Sequence, residues 1–183
     1  LRSATGSGCD QATSNSVTVT VIADPAITTQ PVGGTICTGG SITLSMAASG
    51  GTPSLTYQWY KNGISISGAT NTSYAATTAG NYYCIASASG SGCGTAQTNT
   101  VTVTVVADPA ITTQPVGGTI CTGGSITLSM AASGGTPSLT YQWYRNGSSI
   151  SGATNTSYAA TTAGTYYCIA SASGSGCGTA QTN

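Results

Sequence analysis

Shifted against itself by 84 positions (101 minus 17), the chain repeats almost letter for letter. Residues 17–99 match residues 101–183 except at Ile22/Val106, Lys61/Arg145, Ile64/Ser148 and Asn81/Thr165. Such a period marks an array of stacked modules, since each copy buries a small core of its own and meets only its neighbours. The 183 residues hold a little over two copies. A catalytic site needs one asymmetric constellation, so the period directs the reading towards length, reach and many equal contacts. The expected divisions are a closing strand of a preceding or neighbouring unit in residues 1–23, a full repeat in 24–107, and a repeat lacking its last strand in 108–183.

Charge is almost missing. Charged residues make up 3% of the chain, three Lys plus Arg against three Asp plus Glu, where an average soluble protein carries about 25%. Nucleic acid is therefore a poor partner, because Arg2, Lys61 and Arg145 are too few and too scattered to neutralise a phosphate backbone. No apolar run approaches the about 18 residues that a membrane span needs, and nothing in these residues reads as a signal peptide. A neutral surface of Ser, Thr, Asn, Gln and Gly lacks self-repulsion and tolerates lateral association with little salt dependence. Seven Cys with no His, spread rather than clustered, point to an oxidising, extracellular compartment rather than to zinc. The tripeptides at Asn71, Asn146 and Asn155 fit the N-glycosylation pattern and are read as chance in a Ser/Thr-rich chain.

Short β-branched and aromatic runs alternate with Gly, Asn and Pro, and no segment carries a helical period, so each unit reads as all-β. Residues 27–31 form an edge strand ended by Pro31, and residues 41–46 alternate with Ile42, Leu44 and Met46 inward. Residues 56–60 form a strand closed by Asn62-Gly63, a dipeptide made for a primed hairpin turn. A strand around Tyr74, another over 79–86 and a last over 100–105 complete the unit. Gly33-Gly34, Gly39-Gly40 and Gly50-Gly51 read as turn glycines, since no Lys and no helix follow to make a phosphate loop.

At these residues the unit resembles the immunoglobulin-like β-sandwich. The match lies in S-I-T-L-S-x on strand B, Trp59 on strand C 13 residues later (59 minus 46), and A-G-x-Y-x-C on strand F. The resemblance implies that Trp59 and Trp143 fill the space between the sheets and that Tyr82 and Tyr166 make the tyrosine corner. One position departs from the family: Met46, and likewise Met130, stands where the strand B cysteine belongs, so Cys84 and Cys168 are expected as buried, inert core thiols. The overall expectation is tandem sandwiches arranged end to end. A Cys-x-Gly before strand B, Gly-Cys-Gly after strand F and a V-T-V-T-V final strand also resemble the Ig-like and PKD-like repeats of adhesive or filament-forming surface proteins in Bacteroidetes-type bacteria.

In such a sandwich Cys37 lies at the bottom and Cys93 at the top, roughly 17 to 20 Å apart within one unit, beyond the about 7 Å that a disulfide spans. Two pairings stay open: Cys37 with Cys177 between neighbouring units, leaving Cys9, Cys93 and Cys121 to pair with further units, or Cys37 with Cys84 inside one. By alternation Tyr60 and Tyr83, with Tyr144 and Tyr167 in the second copy, face outward and offer an exposed face for lateral contact or for sugar. Residues 1–16 match 85–100 at eight positions, so Val17, Val19 and Val21 belong to a surplus strand. Either the sequence is a stretch of a longer polypeptide, or subunits polymerise by donating that strand to the next copy.

Asp10, Asp24 and Asp108 are the only acids, and without Glu or His no acid–base pair and no base for a nucleophile can be assembled. The chain is expected to be no enzyme and to hold no metal or cofactor. Asp24-Pro25 and Asp108-Pro109 read as turns that set the angle between units, a lone carboxylate being too little for calcium. The expected function is a structural extracellular fibre or stalk whose partners are copies of itself, end to end and laterally. The alternatives are an adhesin or carbohydrate-binding array holding surface glycans, and a spacer within a secreted enzyme.

Overall fold

The computed structural model describes residues 13–51, 54–135 and 138–183, so Arg2, Cys9 and Asp10 lie outside the described residues. The first unit runs β1 (Ala26–Thr29), β2 (Gly34–Cys37), β3 (Ile42–Ser45), β4 (Ala47–Ser49), β5 (Leu55–Lys61), β6 (Ile64–Ser65), β7 (Ser73–Ala76), β8 (Gly80–Ala88), β9 (Thr95–Gln97) and β10 (Val101–Val106). One layer is β2-β10-β8-β5-β6, with β9 also on β8; the other is made of the pairs β1-β4 and β3-β7. The second unit repeats this, among the described residues without counterparts of β2 and β10, as β11 (Ala110–Thr113), β12 (Ile126–Ser129), β13 (Ala131–Ser133), β14 (Leu139–Arg145), β15 (Ser148–Ser149), β16 (Ser157–Ala160), β17 (Tyr166–Ala172) and β18 (Thr179–Gln181). Among the described residues every regular element is a strand, as the sequence predicts.

Alternation along the strands builds the core between the layers. Leu44, Met46, Trp59, Tyr82, Cys84 and Val103 are buried together, and Leu128, Met130, Trp143 and Cys168 repeat the cluster. Each indole stays satisfied inside: Trp59 Nε1 donates to the Asn71 carbonyl at 2.9 Å, and Trp143 Nε1 to that of Asn155 at 2.9 Å. The Tyr82 hydroxyl donates to the Thr78 carbonyl four residues back at 2.8 Å, which fixes the approach to β8. Asn62 (φ 50°) and Gly63 (φ 82°) are both left-handed, the geometry of a type I′ hairpin turn, and Asn146-Gly147 repeat it.

Three readings of the chain need correction. The last strand is broken: β9 and β10 both pair with β8, and the gap is held by Thr98, whose buried hydroxyl accepts the Cys84 N–H at 3.0 Å. The second unit therefore does carry the first half of that strand, β18. Gly33-Gly34 are not turn glycines. Gly34 opens β2, which runs parallel to β10, and a Cβ on Gly33 would strike the Thr102 carbonyl oxygen. Tyr60 and Tyr83, expected as exposed, are half-buried because they cover one another. Replacing Thr98 with Val should cost about 1–3 kcal/mol by leaving the Cys84 N–H unpaired, read as a lowered denaturant midpoint.

Candidate functional site: the junction between units

Where the first unit ends, β2 and β10 run side by side, Val106 level with Cys37, and the Thr38 N–H donates to the Val106 carbonyl at 3.0 Å. The chain then passes through Asp108-Pro109 into the second unit, whose tip between β17 and β18 comes back to the bottom of the first. A disulfide joins Cys37 to Cys177 with Cα atoms 4.8 Å apart, which decides between the two pairings that the sequence left open. The bond is one contact of several. Ile36 and Ser175 form a parallel bridge, the Cys37 N–H donates to the Ser175 carbonyl at 3.0 Å, and the Ser175 hydroxyl donates to the Ser41 carbonyl at 2.6 Å.

The fit is close enough to dictate residue type. A Cβ on Gly40 would meet the Ser175 carbonyl, and one on Gly176, which sits at φ +74°, would meet the Gly40 backbone. Ile36 and Cys37 are fully buried, between β10 and the second unit's tip, whereas their counterparts Ile120 and Cys121 are partly exposed and exposed. Ser175, Gly176 and Ser41 were not singled out from the sequence, and Gly40 was read only as a turn glycine. Their only signal is adjacency to the two cysteines.

Asp24 and Asp108 do more than turn the chain. Asp24 Oδ1 accepts the Gly94 N–H at 3.0 Å and Asp108 Oδ1 the Gly178 N–H at 3.3 Å, so each carboxylate ties the entry of its unit to that unit's own tip. In the second unit that tip carries Cys177, and the tie positions the cysteine for the bond. Among the described residues no group of His, Cys, Asp and Glu is gathered for a metal.

The remaining thiols divide by setting. Cys84 and Cys168 are buried, and desolvation raises their pKa, with a backbone hydrogen bond from Gln58 or Gln142 opposing it. Folding thus favours the protonated thiol, and the associated stability is complete below the ordinary thiol range and declines as pH rises through the raised folded value. Cys93 is partly exposed and Cys121 exposed. Alkylation of the native chain should mark Cys93 and Cys121 within minutes and leave Cys84 and Cys168 unmodified until denaturant is added.

On the outer face of β5 and β8, Tyr60 and Tyr83 are register partners whose rings stack at 4.9 Å and 3°. Tyr144 and Tyr167 repeat the pair at 4.9 Å and 2°. The inner ring faces are spent on each other, which leaves a narrow double-ring ridge instead of an open platform. Val17, Val19 and Val21 lie outside both sandwiches at 87%, 85% and 92% exposure, in no strand.

Two family models match the chain in succession. Residues 23–106 match an Ig-like domain described as CHU_C associated, and residues 108–183 match an immunoglobulin domain. The chain is a tandem of immunoglobulin-like domains. Solved structures agree on the fold: an I-band fragment of titin superposes with a TM-score of 0.59 at 17% identity, covering 87% of this chain and 64% of that one. Extracellular domains 3–5 of Drosophila OTK give 0.54 at 20% identity over 87% of this chain and 60% of that one. Immunoglobulin domains 1–5 of Sidekick-1 give 0.54 at 19%, over 89% and 39%. This chain thus spans under two thirds of the length of each. No curated protein matches the sequence. The immunoglobulin-like pair departs from the familiar disulfide of the fold by spending its cysteine between domains and leaving Met46 and Met130 in the cores.

Proposed function

We propose that this chain is a structural module of an extracellular fibre or stalk, in which immunoglobulin-like domains joined end to end serve extension, cohesion or surface attachment. The observation that carries the reading is the junction: a disulfide, a backbone bridge and two glycine-tight contacts hold the second domain's tip against the first domain's base. An inter-domain contact built that way resists bending, whereas a simple linker leaves domains free to swing. No catalytic role, metal or cofactor enters this reading. A surface protein of Bacteroidetes-type bacteria is the setting that the repeat resemblance favours.

Electron microscopy of the material tests it. Straight rods with an axial rise of about 35 to 45 Å per domain are expected from strand length plus loops, and a flexible string of beads would end the proposal. Lateral cohesion is assigned to the Tyr60/Tyr83 and Tyr144/Tyr167 ridges, which recur once per domain on the same face. Their ring faces being turned on each other favours packing against a neighbouring fibre over stacking on a sugar. Replacing all four with Ser should disperse bundles into single rods on grids while the disulfide and far-ultraviolet spectrum stay unchanged. Bundles of the same width would remove the Tyr ridges from the account.

A further inference from the structure

The paired strands β5 and β8 turn outward a face with two unlike halves. Trp59, Tyr82, Cys84 and Ala86 are buried, so by alternation Thr56, Gln58 and Tyr60 stand outside, level with Ser87, Ile85 and Tyr83 in turn. The lower half is the stacked Tyr60/Tyr83 ridge. Four residues further along β8, about 13 Å at the strand rise, Thr56 and Ser87 with Thr95 beside them make a low shelf of short hydroxyl side chains. Ile85 lies half-buried between the halves. The second domain repeats the set with the Tyr144/Tyr167 ridge, Ile169, and a shelf of Thr140, Ser171 and Thr179. Charge follows the same polarity. Among the described residues Lys61 and Arg145 are the only cationic side chains and Asp24 and Asp108 the only anionic ones. Lys61 follows Tyr60 at the ridge end, its ammonium donating to Thr78 Oγ1 at 2.7 Å. Asp24 sits at the shelf end, tied to the Gly94 N–H one residue before Thr95, and Arg145 and Asp108 take the corresponding places in the second domain.

We infer that this face docks on the same face of a second copy of the chain turned end for end, so that each tyrosine ridge lies on the other's hydroxyl shelf and each cation faces the other's aspartate. The inference rests on the fibre reading and specifies how its lateral contact is made. A face with a tall, positive end and a low, negative end complements itself only when reversed. Parallel neighbours in register would set ridge against ridge and like charge against like charge. A parallel neighbour slid along by part of a domain would seat one ridge and leave the other over a domain boundary. The reversed pair seats both ridges at once, as an isologous contact does. It also brings Ile85 or Ile169 of each copy to the middle, which gives the contact an apolar centre and a polar rim.

The size of the face suits an array. The 7 residues of β5 at about 3.3 Å each, across four strands about 4.8 Å apart, give on the order of 400 Å² a side, roughly half of one partner's share in a stable pair. Two lone domains would therefore hold each other weakly. A chain that offers one such face per domain multiplies the contact without any new interaction.

The test uses the 183-residue chain with Cys93 and Cys121 alkylated, so that no thiol links copies, in sedimentation equilibrium and in zero-length carbodiimide cross-linking. Lys61 is the chain's one lysine, and a mixture of light and isotopically heavy chains identifies links between copies. The expected result is reversible self-association, with a cross-linked dimer whose mixed-isotope peptides join Lys61 to Asp24 or Asp108. Thr56→Arg with Thr140→Arg, which puts bulk and positive charge on the shelf, should weaken association at least tenfold. So should Tyr60→Ser with Tyr144→Ser at the ridge. Both threonines are exposed, so the shelf variant should melt at the unaltered temperature. A chain that stays monomeric at millimolar concentration overturns the inference, as does association of equal strength in the shelf variant, or a dimer whose cross-links avoid Lys61. A monomeric chain whose ridge binds an oligosaccharide gives the face to a glycan instead. Straight single rods on grids beside a monomeric result would leave the fibre reading standing and remove this contact alone.

Discussion

A single molecule held at its two ends should gain about 460 to 500 Å of stretched length when Cys37–Cys177 is reduced or when either cysteine is replaced by Ser. The bond encloses a sequence separation of 140 residues, and each residue released contributes about 3.3–3.6 Å of extended chain. With the bond intact, force runs from Cys37 straight to Cys177, and both cores, with Trp59 and Trp143, lie inside the shielded loop. The same closure lowers the entropy of the unfolded chain by about 5 kcal/mol at room temperature in the loop-entropy account. Complete unfolding in denaturant should therefore shift to a lower midpoint on reduction. Cys84→Ala serves as the control, since that thiol sits in one core and bridges nothing. Equal extension with and without reductant would show that load does not pass through the junction.

The second large effect is an inequality between two nearly identical domains. In a chain that stops at Asn183 the second domain should unfold first, below the first by about 3 to 6 kcal/mol, and one that continues through a second valine strand should show no such gap. That figure follows from full burial of Val103 and half-burial of Val101 and Val105, at about 1.5–3 kcal/mol per fully buried side chain. Hydrogen exchange reads it by position. Amides of Ile36 and Cys37, held in β2 and by Ser175, should exchange about a hundred- to ten-thousandfold more slowly than those of Ile120 and Cys121, tenfold for each 1.4 kcal/mol. Similar protection at both places would mean that the valine strand adds little. The four differences cannot supply the gap, because Lys61/Arg145, Ile64/Ser148 and Asn81/Thr165 lie at the surface or half-exposed and Ile22/Val106 flank the junction.

Much of this fold is legible in the sequence because alternation and turn chemistry are local signals. Trp59 at an inward position and Asn62-Gly63 between two strands are read without reference to distant parts of the chain, and Tyr82 in A-G-x-Y-x-C took its corner role from the resemblance to the immunoglobulin-like sandwich. The junction was half legible. Placing Cys37 and Cys177 at opposite ends of their sandwiches made their pairing one of the two left open, yet nothing local marks Ser175, Gly176 or Gly40 for the junction, since what constrains them there is another domain's backbone. Gly33-Gly34 mislead for the same reason: a glycine pair suggests a turn, but here the missing Cβ makes room for a parallel strand that arrives some 70 residues later, Thr102 minus Gly33 being 69. Thr98 hides its break in the last strand because a threonine within a β-rich run looks like ordinary alternation until its hydroxyl is seen to replace a ladder bond to Cys84.

The Asp108–Gly178 tie sets an order of maturation as well as a shape. During synthesis the first domain can complete its sandwich, but Cys37 has no partner until the second domain has folded and its aspartate has drawn the tip into place. Among copies this alike, a premature or crossed pairing is the hazard that tandem proteins face while nascent. A thiol whose mate is presented only by a folded neighbour closes in chain order: Cys37 meets Cys177 once the second domain has brought its tip to the first.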